Sequence, residues 1–241
     1  MPSPTFVMLP GNMCDARLWR GDGGVIADTL GSFGEAVDVD LSQNDRIAAF
    51  AARALAAAEG PLVPVGFSMG AIVAVEMWVR APERLAGLVL LGYNATADLP
   101  ERAAQRPRQQ DEARGGALAR LLAEELKPNY LALENRGDPA LLDLLFDMGM
   151  ALGPEVFVRQ SEALRTRVDR RDALPTIDVP VLLGVGAEDG LCPPAWHADW
   201  ASRLPHATLF TTAGAGHMLP LEAPTALARQ LTDWLKAKEL A

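Results

Sequence analysis

Cysteine is scarce in this chain of 241 residues: there are two, Cys14 and Cys192, far apart in sequence. That spacing gives no disulfide framework, and with only three histidines no metal-ligand pattern emerges. No run of apolar residues reaches the length of a membrane span; even the alanine-rich stretch 47–58 is interrupted by Arg53. The opening Met1-Pro2-Ser3-Pro4 lacks the basic and apolar regions of a secretion signal, and a cytoplasmic protein is the expectation. Positive charge is also thin. With 22 Lys and Arg against 31 Asp and Glu, the net charge is −9 and no basic cluster stands out. Nucleic acid and anionic membrane surfaces are therefore poor partners, and a small-molecule substrate is expected. Monomer and homodimer are both compatible with this composition.

What the chain has is apolar content, 49% of its residues, enough for a large core. Its most informative stretch is Leu62-Val63-Pro64-Val65-Gly66-Phe67-Ser68-Met69-Gly70. An apolar strand runs into Gly66-x-Ser68-x-Gly70, and an apolar helical pattern follows to about Arg80. A turn that sharp strains the serine and admits only small neighbours on either side. It presents the hydroxyl at the strand's end, beside the start of a helix. The Met69 amide points the same way and is a candidate oxyanion donor. A bare motif of this kind is also a common turn, so the flanking strand and helix carry the reading.

Around this stretch, strands are predicted at 5–9, 35–41, 61–66, 86–92, 179–185 and 206–212. Helices are predicted at 17–30, weakened by Gly21, Gly23 and Gly24, then from an Asn44 cap to about Glu59, near 193–203, and at 222–237. Strand–helix alternation implies a mainly parallel sheet covered on both faces. It lapses over 95–175, which holds a charged stretch at 98–115 and then helical stripes. Leu118, Leu121, Leu122 and Leu126 form one, and Leu141, Leu144, Leu145 and Met148 another. Val156, Phe157, Gln160 and Leu164 form a weaker third. Pro107, Pro128, Pro154 and Pro175 punctuate them. The predicted organisation is a core of residues 1–94 and 176–241 with a helical cap at 95–175.

In open parallel sheets, ligands gather at the carboxyl ends of the strands. Three such ends carry Ser68, Asp189 and His217, the set that acyl transfer needs. Histidine takes the serine proton, and the carboxylate orients the imidazole and stabilises its charged form. Asp189-Gly190 is also a common turn pair, and His217 could be an ordinary loop histidine. The other histidines fit less well: His206 precedes a strand, and His197 lies within a predicted helix. The loop after the first strand, Leu9 to Asp15, offers the Asn12 amide as a second oxyanion donor beside Gly11.

These segments resemble α/β-hydrolase-fold serine hydrolases with a helical cap, the group of carboxylesterases, enol-lactonases and carbon–carbon bond hydrolases. The resemblance rests on Pro10-Gly11-Asn12 with Trp19, Gly66-Phe67-Ser68-Met69-Gly70, Gly186-Ala187-Glu188-Asp189, Gly214-Ala215-Gly216-His217-Met218 and Glu222-Ala223-Pro224. It implies a catalytic triad of Ser68, Asp189 and His217, backbone donors at Asn12 and Met69, and no cofactor or metal. It implies hydrolysis of an ester-type bond through an acyl-enzyme. A lactone or a carbon–carbon bond is the alternative target, and a non-catalytic ligand receptor on the same fold is the alternative of another class. Two departures stand out. Pro10 occupies a place where such proteins often carry histidine. The antiparallel hairpin that often precedes the first strand is missing, so a trimmed sheet of about six strands is expected.

Two further expectations concern the substrate. Met13, Met69, Met148, Met150 and Met218 suggest a largely apolar pocket for a small or medium acyl group, with ordinary core packing as the alternative. Arg102, Arg106 and Arg108, at the start of the cap, could meet a substrate carboxylate but read more readily as a solvated face. Cys14 and Cys192 follow candidate catalytic loops and approach the same region.

Overall fold

A computed structural model describes residues 3–126 and 130–240 of the chain. Pro128, one of the expected breaks, lies outside the described residues. Six strands form one sheet: β1 Thr5–Leu9, β2 Ala36–Asp38, β3 Leu62–Phe67, β4 Leu88–Leu91, β5 Val181–Gly186 and β6 Ala207–Thr212. Their order is β2-β1-β3-β4-β5-β6, and every neighbouring pair is parallel. The helices are α1 Arg17–Arg20, α2 Val25–Gly31, α3 Ile47–Leu55, α4 Met69–Arg80, α5 Pro100–Glu112, α6 Leu118–Arg120, α7 Pro139–Arg165, α8 Pro194–Arg203, α9 Leu219–Glu222 and α10 Pro224–Ala237. Among the described residues, no helix is long and apolar enough to cross a membrane.

The four inner strands are buried along their whole length, which is why they read as continuous apolar runs. Side chains alternate between two cores. Val7 and Leu9 face the core of α3, α4 and α8, with Phe50, Val73 and Trp200. Phe6 and Met8 face the core of α1, α2 and α10, with Trp19, Leu30, Leu231 and Trp234. After β1 the chain moves outward to β2, then returns on the other side of β1 to form β3. That reversal between β1 and β3 opens a crevice at the strands' carboxyl ends, where ligands bind in such sheets.

Several boundaries differ from expectation. Helix α3 starts at Ile47 after an extended Arg46 that has no side-chain cap, so Asn44 is not its cap. It stops at Leu55, and Arg84 takes the Ala58 and Gly60 carbonyls (2.7 and 2.9 Å). The helix expected over 17–30 is split between α1 and α2 at the glycines of 21–24. The strand expected at 35–41 pairs only over Ala36–Asp38. The closing helix begins at Pro224, preceded by the short α9.

Between β4 and β5 the described residues hold no strand. The charged stretch is itself a helix, α5, with Pro107 inside it. Its pattern was obscure because the face it buries presents Gln109 and Gln110 rather than apolar side chains. The second and third stripes share α7, which breaks at Gly153, where φ is +79° and Pro154 follows. Only a residue without Cβ adopts that backbone at low cost. A third, smaller core joins Leu118, Leu121, Leu122, Val156 and Phe157 to Met13.

Candidate active site

Ser68 stands between β3 and α4 with φ +52° and ψ −112°. A non-glycine residue there carries strain of about 1–3 kcal/mol, sustained only where its surroundings enforce it. The flanking glycines show the enforcement. A Cβ on Gly70 would lie 2.0 Å from the Leu9 carbonyl oxygen, and one on Gly66 would lie 2.5 Å from the Gly70 oxygen. β1, the turn and the start of α4 thus pack backbone against backbone.

His217, in the loop after β6, brings Nε2 to 3.0 Å from Ser68 Oγ and Nδ1 to 2.8 Å from Asp189 Oδ2. Asp189, after β5, accepts the Leu191 and Cys192 amides on its other oxygen, both at 2.8 Å. Burial alone would raise the Asp189 pKa. The charge and hydrogen bond of His217, together with those two amides, outweigh it, and the carboxyl is held below its ordinary value. A fixed, ionised carboxylate selects the tautomer in which Nδ1 donates and Nε2 accepts. Phe67 packs against the His217 ring at 5.1 Å between centroids, and Tyr130 meets it edge-on at 5.7 Å.

Asn12 follows β1 and Met69 opens α4, at the same end of the sheet as Ser68. The sequence reading missed what holds the Asn12 loop. Gln160 of α7, only 1% exposed, accepts the Met13 amide at 2.8 Å and Asn12 Nδ2 at 3.1 Å, and its Nε2 donates to the Leu41 carbonyl at 3.0 Å. Met13 itself sits at φ +53°. A polar residue within the stripe of Val156, Phe157 and Leu164 was the available signal.

The histidine loop has a similar clamp. Tyr130 O accepts the His217 amide at 2.7 Å, and Glu222 accepts the Gly216 and Ala132 amides at 2.8 and 2.6 Å and Asn135 Nδ2 at 2.9 Å. His197 is fully buried, with Nε2 accepting the Tyr93 amide at 3.0 Å; burial pushes its pKa down to about 4. His206 is exposed. Asp189, Cys192 and His217 bring possible metal-ligand atoms within 4.8 Å of one another. Two of the three already bond each other, and burial pushes the Cys192 thiol up, which disfavours the thiolate that a metal needs.

A cavity of about 940 Å³ opens over Ser68 and His217. Cys14 and Cys192 line it, as expected. The methionine pocket is not there. Of the five methionines only Met218 lines the cavity; Met13, Met69 and Met148 belong to three separate cores, and Met150 is exposed. Met69 is in the first turn of α4, so its side chain falls back onto the sheet. Phe67, Ile72, Phe157, Leu164 and Leu191 give the cavity apolar wall, while its α5 side is polar and charged. All three arginines line the cavity: Arg108 is exposed and paired with Glu112 and Glu125, as a solvated face would be, while Arg106 is largely buried against Asp98 and Arg102 is half-buried.

A parallel sheet with a strained serine at the β3–α4 turn, bonded through histidine to aspartate, is the architecture of α/β-fold hydrolases. The chain belongs to the alpha/beta hydrolase family, whose model matches residues 6–230. It is similar to the pimeloyl-[acyl-carrier protein] methyl ester esterase of Vibrio parahaemolyticus, 28% identical over 71% of this chain and 69% of that one. The protein of the same description from Salmonella enteritidis is 30% identical over 94% of this chain and 91% of that one. Among solved structures, a thermophilic esterase from Thermogutta terrifontis superposes with a TM-score of 0.87, at 24% identity, over 97% of this chain and 90% of that one. Carboxylic ester hydrolase is the enzyme class that these relatives share.

Proposed function

We propose that this chain cleaves carboxylic esters through a covalent acyl-enzyme on Ser68, with His217 as base and acid and Asp189 as the group that orients and charge-stabilises it. The observation carrying this reading is the continuous relay from Ser68 Oγ to His217 Nε2 (3.0 Å) and from Nδ1 to Asp189 (2.8 Å). Ser68 Oγ attacks the ester carbonyl as its proton passes to Nε2. The tetrahedral oxyanion is met by the amides of Asn12 and Met69. The intermediate collapses, and the alkoxide leaves with the proton from His217. Water, deprotonated by the same nitrogen, then attacks the acyl-enzyme, releases the acid and restores the serine.

Residues 95–175 act as a helical cap over a core of 1–94 and 176–241, closing the cavity above the serine. That these relatives are esterases for a methyl ester supports a small alcohol as leaving group. The test combines aryl and methyl ester turnover with fluorophosphonate labelling. Wild type is expected to turn over esters and to be labelled at Ser68. Ser68→Ala is expected to lose labelling and about 10⁶ in kcat, the scale on which removing such a nucleophile acts. Undiminished turnover by Ser68→Ala would overturn the mechanism.

A further inference from the structure

The cavity wall built by α5 carries a charge imbalance that the ester chemistry does not use. Asp98 is buried, its side chain 1% exposed, and it bonds two arginines: Arg106 at 2.6 Å and Arg167 at 2.8 Å. Their side chains are 16% and 5% exposed. Arg167 also donates to the carbonyls of Thr96, Ala97 and Leu164. Arg102 lies one turn before Arg106 on α5, and both line the cavity. Among the described residues, no carboxylate bonds Arg102. Like charges four residues apart on a helix repel, and a guanidinium in the first turn opposes the helix dipole.

Three positive charges therefore stand against one negative on this wall, in a protein whose net charge is −9. The glutamates that also line the cavity are engaged elsewhere: Glu125 by Arg108 and Arg120, and Glu124 by Arg120. The excess charge is partly dehydrated. Desolvation pulls the Arg167 guanidinium below its ordinary pKa, against the attraction of Asp98. Arg102 is felt electrostatically at Tyr130 and Cys192, and both line the same cavity as Ser68. A charge-lined cleft with low-dielectric walls concentrates ligands of the opposite sign.

From this we infer an anion subsite, formed by Arg102 with the outward N–H groups of Arg106, that selects esters carrying a negative group away from the scissile bond. The inference rests on the ester-hydrolase reading and names its substrate class. A carboxylate at the far end of the acyl chain and a phosphate on the alcohol are the two sources of that group, and the test separates them. The full chain is assayed on aryl half-esters of dicarboxylic acids of increasing length, on neutral aryl esters of matched length, and on esters of neutral acids with a phosphorylated alcohol.

In wild type, one anionic series is expected to exceed its neutral match in kcat/KM by roughly 10- to 100-fold, the scale of a charge-assisted hydrogen bond. Preference for the half-esters assigns the anion to the acyl side, and preference for the phosphorylated esters assigns it to the alcohol; either supports the subsite. The preference should shrink with added salt, fall about tenfold or more in Arg102→Gln, and recover in part in Arg102→Lys. Equal handling of charged and neutral esters, or a preference that Arg102→Gln leaves intact, would overturn the subsite. Neutral esters turned over through a labelled Ser68 would then leave the hydrolase reading standing.

Discussion

Gln160→Leu isolates the clamp on the Asn12 loop. The substitution keeps the side chain's bulk and removes three hydrogen bonds, taking the Gln160 oxygen from the Met13 amide and the Gln160 N–H from the Leu41 carbonyl in a buried setting. Each such loss costs about 1–3 kcal/mol, so folding stability should fall by roughly 2–6 kcal/mol. In a chain of this size each kcal/mol moves Tm by about 2–4 °C, so the loss is visible by calorimetry. The catalytic consequence is separate. Met13 sits at φ +53°, and without Gln160 the loop should relax and carry the Asn12 amide, the oxyanion donor proposed above, out of position. Loss of one oxyanion donor costs roughly 2.7–4 kcal/mol, or 10²–10³ in kcat. The expected loss lies toward the lower end, because the donor is displaced rather than deleted, and KM should change little.

Gln160→Glu completes the comparison. It retains the acceptor for Met13 and Asn12 but loses the donor to Leu41. Stability should suffer while kcat stays well above that of Gln160→Leu. Steady-state kinetics on an aryl ester, alongside thermal melts, read both effects. Equal kcat in the two variants, or Gln160→Leu within twofold of wild type, would refute the reasoning.

Two other outcomes are expected. Gly70→Ala should fail to accumulate as folded protein or melt far below wild type, because its Cβ would lie 2.0 Å from the Leu9 carbonyl oxygen and neither backbone has room to yield; a native-like melt would contradict that contact. Asp98 and Asp189 both have pKa values below their ordinary ones in the folded chain; in each, burial opposes the shift, and Arg106 and Arg167 or His217 overcome it. Their stabilisation is therefore fully present above the unfolded carboxyl value, about 3.9, and is lost as pH falls through the folded values. Asp98→Asn should melt lower than wild type near neutrality and approach the wild-type curve in acid, whereas parallel curves of Tm against pH would remove Asp98 from the account.

The constellation was legible in the sequence where backbone geometry leaves no alternative. Gly66 and Gly70 flank Ser68 because a Cβ at either place would strike main-chain atoms, so the motif records a packing constraint as well as a chemical one. The strand end bearing Asp189 was readable for a related reason, since the buried parallel strand β5 is a continuous apolar run with an abrupt end, whereas β6, ahead of His217, is a half-exposed edge strand with a weaker signal. Helix α5 was not readable as a helix. Its buried face is made of Gln109, Gln110 and a paired Arg106, so hydrophobic period carries no signal there. Asn44 failed as a cap because the helix starts two residues later than that, after an extended Arg46. Methionine near a catalytic loop in sequence proved a poor guide to the cavity, because the first turn of a helix directs its side chain back onto the sheet. Gln160 needed tertiary information, since its three partners lie more than a hundred residues away.

The stretch between β4 and β5 grips both working loops at once: the Tyr130 carbonyl holds the backbone of His217, and Gln160 holds that of Met13. Grafting experiments inherit this. A chimera that trades the whole insertion for one from another hydrolase would discard the braces of its host's machinery along with the binding walls. Transplants that spare the Tyr130–Asn135 segment and the Gln160 turn, and exchange only α5, offer the sounder route to new selectivity.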